Sequence, residues 1–517
     1  MRRWWLYLAW LMVWQTPAAA QPAAPCIAMV GAMSGDTTSE ANARILEGSG
    51  FKDARSLADA VGDGAIIQGG NFSGWDFRGV SLANACFVDA DLKRSVWNDA
   101  DTPGIGFINS DLSHSTLTGI KATGILLRDA KLSNVKADKA DFSNGVFEGG
   151  WFDSSIDGWN IDGADLAGFS FSCGITLPDG CPVYAGEKGI SARGTDFSRA
   201  KLSSFRRYGF IDIDISGATF DHTELSPGQL TSLAGHDLHA PVFLVGSDAL
   251  AQVSPSDVVT LIADAAAFSK ALAGPAFMCA KAASPTEKLL CAGEGGDLAG
   301  ADRQLSMLFG QVRALNPSSV AAQRQWLKQR DACMIEAYPA DCLRGRYSER
   351  TGVLLGQLGE RGWLGRGESA LFIDDELPLS DAARNSALFG KIAPVLAGAS
   401  MTVVVVTRQS NGQYSVVGNA MGANAHTCSL GAQDMQMDPA NGWYSARQPD
   451  GKASARVLRV IGDRLEVFGS GHPDSAAPEA TMDYASCGVR AAFAPLRRIP
   501  VQREVMEKYV ERANIEY

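Results

Sequence analysis

Ala90-Asp91-Leu92-Lys93-Arg94-Ser95-Val96-Trp97-Asn98-Asp99-Ala100-Asp101-Thr102 decides the fold. Leu92, Trp97 and Thr102 stand five apart, and a small residue (Ala90, Ser95, Ala100) precedes each by two positions. Steps of five continue in both directions. They pass through Ile67, Phe72, Phe77, Leu82 and Phe87 before Leu92, and through Phe107, Leu112, Leu117, Ala122, Leu127, Leu132, Ala137, Phe142, Phe147 and Phe152 after Thr102. Thr102 is the one polar residue among these centres, whereas a 46% hydrophobic composition would leave about half of them polar.

A period of five fits neither a helix at 3.6 residues per turn nor a flat strand at 2. It requires a chain that turns a corner every five residues. Four such sides close a coil, and stacked coils pair their backbones about 4.8 Å apart. No single repeat is stable alone, so the stack needs caps. Residues 21–64 supply the first, with helix expected around 40–48 and 56–61. The period slips once before Ile156, resumes through Ile161, Leu166 and Phe171, and returns at Phe197 and Leu202. It slips again to Phe205, Phe210, Ile215, Phe220 and Leu225. Units such as Ala90-Asp91-Leu92, Ser110-Asp111-Leu112, Ala140-Asp141-Phe142 and Ala164-Asp165-Leu166 resemble the pentapeptide-repeat family. The resemblance implies a right-handed quadrilateral β-helix, assigned here to residues 65–248. Some members of that family mimic DNA. The chain is acidic, with 46 basic against 57 acidic residues, but its repeats are only mildly so, and no nucleic-acid partner is expected.

The chain opens Met1-Arg2-Arg3, then runs apolar from Trp4 to Trp14, and Ala18-Ala19-Ala20 follow. A charged start, a short apolar run and small residues predict a secretory signal over 1–20. The run is too short to span a bilayer, which needs about twenty residues. The mature chain, lacking Arg2 and Arg3, would carry 44 basic and 57 acidic residues, a net charge of −13. It is expected in the periplasm or outside the cell, without stable membrane insertion. Ten cysteines in an exported chain read as disulfides. Cys173 and Cys181 flank a short turn-rich insertion, a natural bridge. Cys279, Cys291, Cys333 and Cys342 form a set with three possible connectivities. Cys428 and Cys487 are expected to pair, and the partners of Cys26 and Cys86 stay open. No metal-type Cys spacing occurs.

Beyond the repeats, an amphipathic helix falls within 249–274, expected as a linker. Residues 275–356 then carry Phe277-Met278-Cys279-Ala280-Lys281-Ala282, Glu287 before Cys291, Gln325-Trp326-Leu327 with Arg330 and Cys333, and Cys342-Leu343 with Tyr347 and Arg350. This set is similar to the N-terminal domain of the LprI type of lysozyme inhibitor. The resemblance implies a small, all-α, disulfide-stapled domain and, for its characterised members, lysozyme inhibition. Trp326 and Arg330 share a helical face, and Glu287 is the nearest partner for Arg330 or Arg350. Phe277, Glu287, Trp326, Arg330, Tyr347 and Arg350 read mostly as fold-makers. Lys281, Lys328 and Arg344 are the candidate partner contacts, since a cation can enter an acidic cleft.

A linker is expected over 357–399. Residues 400–498 alternate as six or seven antiparallel strands, with hairpin turns at Asn411-Gly412 and Gly462-Asp463 and a last strand over Val489–Phe493. The stretch Asn424-Ala425-His426-Thr427-Cys428 resembles a module that often follows LprI-type domains. Residues 499–517 end in a helical tail. No HExxH, GxSxG or phosphate-loop pattern is present, so neither catalysis, nor a cofactor, nor a metal is expected. Two functions fit: an exported binder that inhibits a basic lysozyme, or an envelope interaction protein that uses the β-helix as a rigid scaffold.

Overall fold

The computed structural model describes residues 26, 44–152, 156–171, 189–203, 209–210, 212–292, 297–359, 363–421, 427–447, 454–468, 485–487, 493 and 496–515. The signal segment 1–20 and the Cys173–Cys181 insertion lie outside the described residues. The chain forms two compact units. The first comprises 1–169, 187–196 and 213–218, and the second comprises the remainder.

The first unit is a β-solenoid. Strands β1 (Ile45–Glu47), β2 (Ala65–Gln68), β3 (Ala85–Val88), β4 (Gly106–Ile108), β5 (Leu126–Arg128) and β6 (Val146–Glu148) form one six-stranded sheet in chain order. All pairs are parallel, and Ile66, Cys86, Gly106, Leu126 and Val146 are successive partners. A coil therefore takes twenty residues, four steps of five. The centres Phe72, Phe77, Phe87, Trp97 and Phe107 are buried and stack from coil to coil, Phe77 on Trp97 at 3.9 Å and Phe87 on Phe107 at 5.6 Å between ring centroids. The small residues two positions earlier are buried as well, and Ser95 accepts the Trp97 indole N–H at 2.8 Å.

The corners explain the abundance of glycine and of short polar residues. Each turn needs a left-handed residue, taken by Asn84, Asp89, Asp99, Asn109, Asp129 and Asn144, by glycine at Gly74, Gly119 and Gly124, and by Arg94, His114 and Lys139 at other corners. The aspartates just before the centres are pinned locally. Asp76, Asp91, Asp111 and Asp141 accept the backbone N–H two residues on, at 3.0 to 3.1 Å. The slip in period is a change in coil length. Asp141 pairs with Asn160, nineteen residues on, and Asn160 with Ser191, thirty-one on.

The first cap departs from expectation. Ile45–Glu47, read as helix, is the first strand of the sheet, because the open edge of the first coil takes a partner strand. Helix α1 (Ala54–Val61) follows, with Asp53 accepting from the Ser56 N–H at its start. Cys26 is bonded to Cys86. Cys26 lies buried on the outer wall among Ile66, Cys86 and Leu126, and a Cβ at Gly106 would come within 2.2 Å of its Sγ.

The second unit begins with the last repeats. A 3-10 turn over Pro227–Leu233 caps them, and Gln229 donates to the Leu202 carbonyl at 2.8 Å. Strand β7 (Val242–Val245) pairs in parallel with Glu224–Leu225 and antiparallel with β8 (Leu250–Val253). The linker helix is α2 (Pro255–Leu272), started by Ser254. Next come α3 (Pro285–Ala292), α4 (Leu298–Leu315), α5 (Ser319–Asp331) and α6 (Pro339–Leu358).

The stretch 357–399, read as a linker, is built into the last element of the fold. It holds β9 (Ser369–Ile373), the short helix α7 (Asp381–Arg384) and α8 (Ala387–Ala399). With β10 (Thr402–Arg408), β11 (Tyr414–Met421), β12 (Thr427–Met437), β13 (Tyr444–Arg447), β14 (Ser454–Ile461), β15 (Arg464–Val467), β16 (Ala485–Cys487) and β17 (Leu496–Ile499) it makes a nine-stranded sheet. The order is β11-β10-β9-β17-β15-β14-β13-β12-β16, and β11 also pairs with β12. Eight strands thus close into a barrel, with β16 laid on the edge of β12. Closure removes exposed edges, which is why more strands are recruited than the hairpin signals alone suggest. The buried interior is lined by Phe372, Val404, Val406, Tyr414, Leu430, Met435, Tyr444, Leu458, Leu465 and Leu496. Of the strand expected over 489–493, only Phe493 is described, and it packs against this core as loop. His426 lies outside the described residues. Helix α9 (Arg503–Ile515) ends the described chain.

Candidate functional site

The helical segment brings the motif residues together. Leu290, Leu298, Leu305, Leu308, Val312, Trp326, Cys333, Leu343, Tyr347 and Leu354 share one buried core. Phe277 packs against it half-buried. The bridges are Cys279–Cys291 and Cys333–Cys342, spanning 12 and 9 residues. Cys428 and Cys487 are bonded in the barrel, where they face each other across β12 and β16.

At the centre of the helical core lies a polar chain. The Tyr347 hydroxyl donates to Asp302 Oδ1 at 2.7 Å and accepts from Arg330 Nη1 at 3.3 Å. Asp302 also accepts the Ala276 N–H at 2.9 Å, which ties the segment entering the helices to α4. Arg330 turns its other face to Asp331 at 2.7 Å and lies 5.8 Å from the centre of the Trp326 ring. Burial pushes the Tyr347 hydroxyl above its ordinary value, and the Asp302 carboxylate adds to that. Arg350 donates to Gln323 at 3.0 Å.

Glu287 does not reach either arginine. Its carboxylate accepts the N–H groups of Ser284 and Ala283, at 2.9 and 2.8 Å, as a cap on α3. These bonds hold it below the usual carboxylate range. An acidic side chain in the first turn of a helix meets unsatisfied backbone donors before it meets a distant cation, and this decides its partner. Asp302 and Gln323 take the places expected for Glu287. Buried arginines on one face of α5 and α6 require acceptors on the neighbouring helices, and that requirement was the signal for them.

The three contact candidates divide. Lys281 and Lys328 are exposed. Arg344 is bound within the fold, to Asp341 at 2.6 Å one turn earlier on α6 and to Asp297 at 3.2 Å. The exposed apolar side chains lie elsewhere on this segment. Ile335 and Tyr338, inside the Cys333–Cys342 loop, are 89% and 75% exposed, the two highest values for large apolar residues among those described.

The helical segment packs against the barrel. Ile461 of β14 enters its core, and Arg459 donates to the Ser348 carbonyl and hydroxyl of α6 at 3.3 and 3.2 Å. Gly352 and Gly356 lie against the β12–β13 turn, where an added Cβ would stand 2.7 Å from the Asn441 carbonyl oxygen and 2.0 Å from that of Pro439. The barrel has its own concavity of about 1260 Å3, whose wall includes Gln413, Gln433, Gln436, Ser445, Arg447 and Arg456. Among the described residues no group of three His, Cys, Asp or Glu is placed to hold a metal ion, and no helix is long and apolar enough to cross a membrane.

Eight copies of the family described as pentapeptide repeats match residues 63–94 and 107–149. Among solved structures, HetL, a pentapeptide repeat protein involved in heterocyst differentiation regulation from the cyanobacterium Nostoc, is 16% identical. It aligns over 34% of this chain and 84% of its own, with a TM-score of 0.20. QnrB1, a plasmid-mediated fluoroquinolone resistance protein, is 15% identical over 35% of this chain and 92% of its own, with a TM-score of 0.18. Rfr23 from the cyanobacterium Cyanothece is 14% identical over 33% of this chain and 95% of its own, with a TM-score of 0.15. No curated protein matches the chain. The chain carries pentapeptide repeats, and they form its β-solenoid.

Proposed function

We propose that this is an exported, non-catalytic binding protein in which the solenoid is a rigid scaffold, and that its helical segment inhibits a lysozyme in the manner of the LprI type it resembles. Its twenty-residue coil of five-residue steps supports reading the solenoid as four-sided, and the right hand is what the resemblance to the pentapeptide-repeat family implies. The observation that carries the inhibitor reading is the closure of residues 277–350 around the motif. Trp326, Arg330 and Tyr347 meet in one disulfide-stapled core, so the motif defines a fold that presents its remaining surface to a partner. Four bridges among the described residues favour an oxidising compartment outside the cytosol.

A basic lysozyme would be drawn to the chain from residue 21, whose net charge is −13 (44 basic, 57 acidic), and that long-range attraction fades with salt. Lysozymes cleave with two carboxylates in a cleft, and the exposed Lys281 and Lys328 are available to pair near them. The test is lysis of cell walls by a strongly basic lysozyme, with the chain from residue 21 added at low and at physiological salt. One-to-one inhibition, stronger at low salt, is expected. A folded protein that inhibits at neither salt leaves the other function, an envelope interaction protein with the solenoid as its scaffold.

A further inference from the structure

The loop closed by Cys333–Cys342 is used by nothing described so far. Cys333 is buried in the helical core, which fixes the base of the loop. From there the chain makes a 3-10 turn over Ala332–Ile335, and the Glu336 N–H returns to the Cys333 carbonyl at 3.1 Å. Tyr338 is the residue before α6, Pro339 opens that helix, and the Cys342 N–H donates to the Tyr338 carbonyl at 3.2 Å. The backbone is thus held by a bridge, two local hydrogen bonds and a proline. Yet it directs Ile335 and Tyr338 into solvent, 89% and 75% exposed. A rigid loop that displays an aliphatic and an aromatic side chain loses little freedom on binding, and side chains of this size supply most of the energy of a protein contact.

Charge narrows the partner. From Asp331 to Leu343 there are three carboxylates and no cation. Arg330 and Arg344, at the two ends, take up Asp331 and Asp341. Glu336, exposed at the tip, enters no ion pair among the described residues. The complement is a concave protein surface with an apolar pocket and a cationic rim.

We infer that this loop is the binding edge of the helical segment, with Ile335 and Tyr338 as anchors and Glu336 as the charge that meets the partner's rim. The inference rests on the lysozyme reading above and names the part of the surface that enters the lysozyme. It replaces Lys281 and Lys328 as the principal contacts.

The experiment uses the chain from residue 21 and a strongly basic lysozyme, with inhibition of wall lysis and association kinetics as readouts. Ile335→Ala with Tyr338→Ala should weaken inhibition by about 100-fold while the melting point and the bridges stay as they are, since both side chains are exposed. Glu336→Lys should slow association at low salt, with the difference vanishing at high salt. A double variant within about twofold of the parent overturns the loop and leaves the lysozyme reading intact. Loss confined to Lys281→Glu with Lys328→Glu overturns it in favour of the cationic contacts. A parent protein that does not inhibit removes the lysozyme reading, and this inference with it.

Discussion

Thr102 is the polar exception among the inward centres of the repeats, and the structure buries it completely. Its hydroxyl has no hydrogen-bond partner. A buried polar group without a partner costs about 1–3 kcal/mol relative to one that is satisfied. Thr102→Val keeps the shape and removes the hydroxyl, so it should stabilise the protein by about 1 kcal/mol. The urea midpoint would rise with an unchanged slope, and a lower midpoint would mean that the hydroxyl is satisfied in solution. Tyr347 is the opposite case. Tyr347→Phe deprives Asp302 Oδ1 of the hydroxyl donor inside the helical core and should cost about 1–3 kcal/mol, read from the same measurement. Both positions stand out in the sequence, Thr102 by breaking a pattern and Tyr347 by completing a motif. The partner of Tyr347 is another matter. Nothing near Tyr347 in the chain points to Asp302, 45 residues earlier, because side-chain pairing between helices depends on packing angles that no local pattern encodes.

Helix α6 carries glycines of two kinds. Gly345 has open space where a Cβ would go, whereas Gly356 has the Pro439 carbonyl oxygen there. Alanine is favoured over glycine inside a helix by about 1 kcal/mol. Gly345→Ala should therefore raise the unfolding midpoint. Gly356→Ala should lower it, at a cost in stability of about 1–3 kcal/mol, because overpacking against backbone exceeds the gain in propensity. If both variants are stabilised, α6 does not rest on the barrel turn. The corner aspartates are a second repeated element. Asp76 is lowered to about 2, chiefly by the Arg78 side chain, and Asp214 is lowered chiefly by the Ser216 hydroxyl. Folded values below the unfolded ones give stability that is present above about pH 4 and lost as pH falls toward 2. Asp76→Asn should flatten the acid-unfolding curve in that window, with stability slightly below the parent's at pH 7 and the two proteins converging toward pH 2. Period, corners and hairpin turns were all legible because each is written within a few residues. Strand β9 was not. Ser369–Ile373 is five residues long, and it becomes a strand because Leu371 and its neighbours pair on both sides with β10 and β17, the latter more than a hundred residues later.

Across the whole molecule the sequence suggests three successive modules, each with its own residue periodicity. The structure instead joins the helical segment to the barrel through Ile461, Arg459 and the glycine face of α6. Cooperative unfolding follows from that shared packing. Removal of a bridge by Cys291→Ser should cost about 2–5 kcal/mol. It should lower the loss of helical signal and the loss of barrel tryptophan signal together, in one transition. Helical signal lost while Trp443 and its surroundings remain native would show that the two parts are independent after all. The coil length of the solenoid has a practical meaning of a different kind. Between Asn160 and Ser191 the spacing of neighbours grows from twenty to thirty-one residues, yet pairing resumes unchanged at Asp165 with Asp196. The stack counts whole turns and tolerates extra chain between two of them. Excision of residues 107–126, one full turn, would join Gly106 to Leu127, the neighbour of its own stacking partner Leu126, and shorten the column without disturbing its seam. The turn that already spans thirty-one residues is, by the same arithmetic, a mounting point for foreign sequence.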